Sequence, residues 1–138
     1  MRYLLDTCVI SDGAKPAKFP QLAEWLDAQA GDDLAISALT VGELRYGIYR
    51  LPSGRKRERL KHWLDTELLA SLDARVLDAD AAVASSWALL RASGDEMARP
   101  LPFVDGLLLA TAHVRGLTFV TRNLVDVEGR GVSVLSPY

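Results

Sequence analysis

The segment Arg2–Thr7 places an acidic residue at the end of a short apolar run, and this feature limits the fold most strongly. Tyr3, Leu4 and Leu5 form the run and Asp6 ends it. An uninterrupted apolar run of strand length is typical of a strand buried on both faces of a parallel sheet. Ligands bind beyond the carboxyl ends of such strands, so Asp6 is a candidate site residue. From this segment alone, capping of a following helix or turn explains Asp6 equally well.

Strand-like and helix-like segments alternate along the rest of the chain. Apolar runs at 34–36, 76–77, 117–121 and 132–135 predict further strands, and helical spacing of apolar residues predicts helices between them. Glycine and proline between residues 93 and 102 predict a loop there. This alternation, without internal repeats, predicts one α/β domain over residues 1–138. We expect a three-layer domain with a mainly parallel central sheet flanked by helices.

Composition excludes several classes of protein. Hydrophobic residues make up 49% of the 138 residues and charged residues 25%, as in an ordinary globular domain. The net charge of −2 differs from that of a strongly basic nucleic-acid coat protein. The single cysteine, Cys8, excludes an internal disulfide and a cysteine-rich zinc site. The sequence contains neither a membrane-spanning segment nor a signal-peptide pattern, so we expect a cytoplasmic protein.

Two acidic residues occur in segments that are otherwise apolar. Asp105 lies near the start of the apolar segment 103–112, and Glu43 lies in the middle of a predicted apolar helix. A buried carboxylate is unfavourable unless it is paired or binds a metal. Placement in the first helical turn, which the helix dipole favours, is an alternative explanation for Asp105. That alternative does not explain Glu43, which lies too far into its helix.

Four acidic residues therefore lie near the ends of core elements, because Asp6 and Asp126 each follow a predicted strand. Crowded carboxylates raise one another's pKa unless a cation neutralises them. Hard divalent cations prefer oxygen ligands, and Mg²⁺ binds few carboxylates and keeps several waters. The sequence therefore predicts a site for a hard divalent cation.

Other catalytic chemistry has little support. The chain contains no Gly-x-Ser-x-Gly motif and no glycine-rich phosphate loop after a strand. An aspartate after the first strand also occurs in phosphoaspartate enzymes. Those enzymes usually have a second aspartate two residues later, where Cys8 stands here. A hydrolase with Asp6 as its nucleophile is the alternative.

Four blocks of the sequence, in order along the chain, resemble the PIN domain. They are Leu4–Ser11, Ile36–Arg45, Pro102–Ala112 and Leu117–Asp126. The chain is most similar to the VapC-type ribonuclease toxins of bacterial type II toxin–antitoxin modules, and Val134–Tyr138 resembles the usual ending of their FitB-like branch. The resemblance implies a PIN fold, dependence on Mg²⁺ or Mn²⁺, RNA cleavage, a homodimer, and inhibition by a small DNA-binding VapB-type antitoxin.

The resemblance also implies roles for the residues at matching positions. Asp6 and Asp105 match the principal metal ligands of the family, and Glu43 matches its third acid, which is often bound to the metal through water. Thr7 and Thr121 match hydroxyls that line the site. These matches predict an endoribonuclease in which bound metal activates a water molecule.

The resemblance does not decide which residue supplies the fourth acid of the site. Many PIN domains place it where Asn123 stands here, and Asp126 lies three residues later. We expect Asp126 to supply the charge as a fourth catalytic acid, with Asn123 lining the site. Cys8 stands where the family usually has asparagine, and a thiol is a weak substitute for the hydrogen bonds of an amide.

A dense basic run, residues 55–61, has two interpretations. The usual one is a solvated helix face. The alternative is contact with the RNA backbone, for which the candidates are Arg45, Arg50, Arg55, Lys56 and Arg57. A PIN-like scaffold that binds RNA or a protein partner without catalysis is a further alternative, against which the full set of principal acids argues.

Overall fold

The computed structural model describes residues 1–138 and contains one five-stranded sheet. Its strands are β1 (Tyr3–Leu5), β2 (Leu34–Ser37), β3 (Val76–Leu77), β4 (Thr118–Val120) and β5 (Val134–Leu135). The order across the sheet is β3-β2-β1-β4-β5, and every neighbouring pair is parallel. The predicted parallel sheet is confirmed.

Helices connect the first four strands. The first connection contains α1 (Thr7–Gly13) and α2 (Pro20–Ala28). The second contains α3 (Ala38–Tyr49), α4 (Arg55–His62), a π-helical segment (Trp63–Leu68) and α5 (Leu69–Leu72). The third contains α6 (Ala81–Glu96) and α7 (Phe103–Arg115). None of these helices combines the length and the apolar character that crossing a bilayer requires.

Local sequence signals set several of these boundaries. The side chains of Ser37 and Asp80 accept hydrogen bonds from the backbone N–H groups of Leu39 and Val83, and so cap α3 and α6. Gly116 ends α7 in the left-handed conformation, with a φ of 68°, which a residue without a Cβ adopts without strain.

The sheet separates two hydrophobic clusters, which makes the domain three-layered. Leu4, Ala35 and Phe119 point to one face and pack with the buried side of α7. The adjacent residues Leu5, Ile36 and Val120 point to the other face and pack with Val9, Ile10, Leu22 and Leu72 from α1, α2 and α5. Successive strand residues alternate between the clusters because side chains alternate between the faces of a sheet.

The path of the chain through the sheet reverses at β1. From this central strand the chain moves outward to β2 and β3, and it later returns to the opposite side of β1 to form β4 and β5. Such a switch point opens a crevice at the carboxyl ends of the adjoining strands. Asp6, which directly follows β1, lies at this crevice.

The predicted loop over residues 93–102 begins too early, because α6 continues through Gly94 to Glu96. Gly94 is buried, and a Cβ at this position would lie 2.7 Å from the carbonyl oxygen of Arg99 and 2.7 Å from Nη1 of Arg130. Gly94 therefore lets Arg99 and Arg130 pack closely against α6. It does not mark a break in that helix.

We expect Gly94→Ala to lower the free energy of unfolding by about 1–3 kcal/mol, the usual cost of overpacking a close contact. The matched control is Gly42→Ala in α3, where an added Cβ would meet nothing within 4 Å. Because alanine favours the helix interior, the control should be neutral or more stable by about 0.5–1 kcal/mol. Denaturant unfolding of the three proteins measures both effects, and equal stability of the two variants would contradict this account of Gly94.

Candidate active site

Asp6 is held in one orientation by three hydrogen-bond donors. Its Oδ1 accepts from the backbone N–H of Thr7 at 2.7 Å, and its Oδ2 accepts from the hydroxyl of Thr121 at 2.8 Å. The thiol of Cys8 also donates to Oδ2, at 3.4 Å. The backbone N–H of Asp6 donates to the carbonyl of Val120, at the end of β4. Asp6 is therefore fixed where β1, β4 and α1 meet.

Cys8 contributes a weak hydrogen bond to the site as a neutral thiol. Burial raises the pKa of Cys8, the backbone N–H of Arg122 lowers it, and the negative charge of Asp6 raises it further. The net direction is upward, so the thiol keeps its proton and can donate to Asp6.

Glu43 joins the site through Thr7. The hydroxyl of Thr7 donates to Oε1 of Glu43 at 2.6 Å, and the hydroxyls of Thr7 and Thr40 are 3.1 Å apart. The expectation that Glu43 is buried is wrong, because the residue is exposed. The apolar residues of α3 surround it in sequence, but they pack against the sheet and leave the face bearing Glu43 open.

Asp105 lies in the first turn of α7, partly buried. Burial raises its pKa, and the negative charges of Asp6, Asp126 and Glu43 raise it further. The three other acids therefore lie close enough for their charges to act on Asp105. That these four carboxylates form one metal site stays a prediction.

Asp126 and Asn123 lie together on the turn that follows β4. The side-chain amide of Asn123 donates to Oδ2 of Asp126 at 3.1 Å, and its backbone N–H lies 3.3 Å from the hydroxyl oxygen of Thr121. The carbonyl of Leu124 accepts from the N–H groups of Val127 and Glu128, which gives this turn a helical bend. The bend brings residues three positions apart to the same side.

Two arginines that sequence reasoning missed hold the turn bearing Asp126. Arg99 donates through Nη2 to the carbonyl of Val125 at 2.8 Å and through Nη1 to that of Glu128 at 3.1 Å. Arg130 donates through Nε to the carbonyl of Asp126 at 2.7 Å. Both arginines donate to backbone carbonyls, and neither forms an ion pair with the carboxylate of Asp126.

A second missed cluster surrounds Asp12, an acid that is only 6% exposed. Its Oδ2 accepts from Nη1 of Arg122 at 3.0 Å and from the hydroxyl of Tyr138 at 2.8 Å. Burial, followed by this hydrogen bond, raises the pKa of Tyr138. The partners are more than 100 positions apart in sequence, and no local pattern signals the contact. The cluster attaches α1 to the segment that follows β4.

The oxygen-rich donor set suits a hard divalent cation. In this arrangement no three Asp, Glu, His or Cys side chains lie close enough together to coordinate one ion directly. Mg²⁺ characteristically binds through one or two carboxylates and retains several waters, so three direct ligands are not required. Asp6 and Asp105, which the sequence predicts as the principal ligands, are compatible with this mode.

The five basic residues proposed to guide RNA have different surroundings. Arg45 pairs with Asp65 at 2.7 Å. Arg50 and Arg57 lie over the rings of Tyr46 and Tyr49. Arg55 and Lys56 are exposed at the start of α4, and of the five only Lys56 lines the large cleft that also contains Thr7 and Glu43.

Comparison with known proteins agrees with this geometry. The family model for the PIN domain matches residues 3–124. The chain is 34% identical to VapC ribonuclease Y4jK of Sinorhizobium fredii over 98% of this chain and 96% of the relative. It is 33% identical to Toxin FitB of Neisseria gonorrhoeae over 98% of this chain and 97% of that toxin.

A solved structure gives the same result. The crystal structure of FitAcB from Neisseria gonorrhoeae matches with a TM-score of 0.93 and 33% identity, covering 98% of this chain and 97% of the matched chain. The family model, the two relatives and the solved structure each cover most of the chain. The chain belongs to the PIN domain family and is similar along nearly its whole length to VapC-type and FitB toxins.

Proposed function

We propose that this protein is a metal-dependent endoribonuclease that acts as the toxin of a toxin–antitoxin module. The observation that carries the proposal is the convergence of four carboxylates at the switch point of the sheet, where burial and the charges of the other three raise the pKa of Asp105. The similarity to a VapC ribonuclease supports the ribonuclease activity, and the similarity to Toxin FitB supports the role as a toxin.

Asp6 and Asp105 would hold Mg²⁺ or Mn²⁺, and Glu43 and Asp126 would position water near it. When bound, the metal lowers the pKa of a coordinated water and offsets negative charge that develops on the scissile phosphate. Thr7 and Thr121 keep Asp6 and Glu43 oriented through the hydrogen bonds described above, so that little reorientation is needed during reaction. Asn123 fixes one oxygen of Asp126 and leaves the other free to accept a proton from water.

The partners proposed are RNA as substrate, a second copy of the chain in a homodimer, and a VapB-type antitoxin. The protein would meet all three in the cytoplasm. The antitoxin proposal follows the similarity to Toxin FitB, and an antitoxin reading frame next to that of this protein would support it.

The direct test is cleavage of a mixed-sequence single-stranded RNA in Mg²⁺ by the wild type and by Asp6→Asn. Loss of a metal ligand should remove several kcal/mol of transition-state stabilisation, so cleavage should fall by roughly 1,000-fold or more. The matched control is Asp27→Asn, which makes the same chemical change at an exposed position of α2. Cleavage by Asp6→Asn within a few-fold of the control would overturn the proposal.

Asp105→Asn tests the electrostatics of the site without any cleavage. The folded protein raises the pKa of Asp105 above its usual value of 3.8, so ionisation of this group opposes folding. The cost is absent below the unfolded pKa, develops as the pH rises towards the folded pKa, and persists above it. With chelator present, Asp105→Asn should therefore melt at a higher temperature than the wild type at neutral pH.

This difference between Asp105→Asn and the wild type should disappear in acid, where Asp105 is protonated in both states. Mg²⁺ should reverse the order at neutral pH, because only the wild type keeps the ligand. At a free metal concentration of ~100 times the dissociation constant, binding stabilises the folded state by about 2.7 kcal/mol. Melting temperatures of Asp105→Asn that match the wild type at every pH, with and without Mg²⁺, would show that the acids do not interact.

The fourth acid is tested by the pair Asp126→Asn and Asn123→Asp. If Asp126 supplies the fourth charge, its replacement should lower cleavage by about 10–100-fold, as removal of a group that supports the metal indirectly usually does. Asn123→Asp should keep activity or increase metal affinity, since it adds charge to the same turn. Normal cleavage and metal dependence in Asp126→Asn would instead leave Asn123 as the residue that completes the site.

A further inference from the structure

A cleft of about 760 Å³ adjoins the acidic site. We call it the α3–α4 cleft, because α3, α4 and the π-helical segment form most of it, with α1 and the turn after α1 forming the remaining wall. Thr7 and Glu43 line both this cleft and the acidic site. A ligand that reaches the carboxylates from this side therefore also contacts the cleft.

Three cationic side chains line the cleft: Lys15, Lys56 and Arg59. All three are exposed, and none forms an ion pair with a carboxylate. Arg45, also on α3, is by contrast paired with Asp65. Unpaired cations on the wall of a concave surface favour a ligand that brings its own negative charge.

The other charges of the cleft do not cancel this preference. Glu43 and Glu67 also line it, so its three cationic side chains outnumber its two carboxylates. Trp63 adds an aromatic side chain to the lining. Positive groups beside an aromatic side chain are the usual surface for single-stranded nucleic acid, whose phosphates and bases they contact.

We propose that the α3–α4 cleft binds the single-stranded RNA that flanks the scissile phosphate, with Lys15, Lys56 and Arg59 contacting its phosphates. This inference rests on the proposed function, because it places the cleaved bond at the acidic site. A strand with one phosphate at the carboxylates continues into the adjoining cleft through Thr7 and Glu43. Backbone contacts of this kind hold a strand in place without selecting its sequence.

Basic residues of α4 differ in whether they line the cleft. Lys56 and Arg59 face the cleft, whereas Lys61 does not line it. Lys56→Ala with Arg59→Ala therefore removes two charges from the cleft. Lys61→Ala with Arg115→Ala removes one lysine and one arginine from exposed positions outside the cleft and so gives the same change in net charge.

The experiment measures binding of a labelled mixed-sequence 12-nucleotide RNA by fluorescence anisotropy, with chelator present so that the RNA stays intact. The cleft variant should bind at least ten-fold more weakly than the control variant. The salt dependence of its log affinity should be smaller by about 0.7 for each phosphate that the protein no longer neutralises, or roughly 1.4 for two. Thermal melts should be unchanged, since both variants alter exposed side chains only.

A cleft variant and a control variant with the same affinity and salt dependence would overturn the inference. If both still cleave RNA in Mg²⁺, the proposed ribonuclease activity stands and only the location of the RNA is wrong. If the cleft variant binds RNA normally but no longer binds the antitoxin purified with the wild type, the cleft is a protein-binding surface, which also overturns the inference.

Discussion

Repulsion among the carboxylates at the end of β1 is the interaction on which the arrangement of the site depends. Neutral donors hold these acids: the hydroxyls of Thr7 and Thr121 and the amide of Asn123. None of the four acids forms an ion pair with lysine or arginine. Hydrogen bonds orient a carboxylate without removing its charge, so the negative potential stays available to an external cation. At Asp105 burial raises the pKa, and the charges of the neighbouring acids raise it further.

The arginines near the site also form no ion pair with its four acids. Arg99 and Arg130 lie beside the turn that carries Asp126, yet they donate to backbone carbonyls there. Arg122 directly follows Thr121, yet it pairs with the buried Asp12. Arg99 and Arg130 thus fix the backbone around Asp126, whereas Arg122 is paired with a different acid. The turn after β4 is thus held in place by Arg99 and Arg130, as groups outside a site commonly hold the residues within it.

Sequence patterns predicted the parts of this structure that depend on local periodicity. The apolar run ending at Asp6 and the helix carrying Asp105 were recognisable because neighbouring residues determine them. Gly94 was misinterpreted, because its role depends on contact with Arg99 and Arg130 rather than on its neighbours in sequence. The cluster of Asp12, Arg122 and Tyr138 could not be predicted for the same reason. Periodicity shows which face of an element is buried, but not which distant residue covers it.

The distribution of charge also explains why the net charge was a poor guide to binding. A net charge of −2 excludes a uniformly basic protein, but it contains no information on how the charges are grouped. Arg45, Arg75 and Arg122 are paired with carboxylates, whereas Lys15, Lys56 and Arg59 are unpaired and line one cleft. The unpaired acids converge next to that cleft. The molecule therefore presents an uncompensated acidic site and an uncompensated basic wall side by side, an arrangement suited to a phosphate chain whose cleaved phosphate meets the metal while its neighbours meet lysine and arginine.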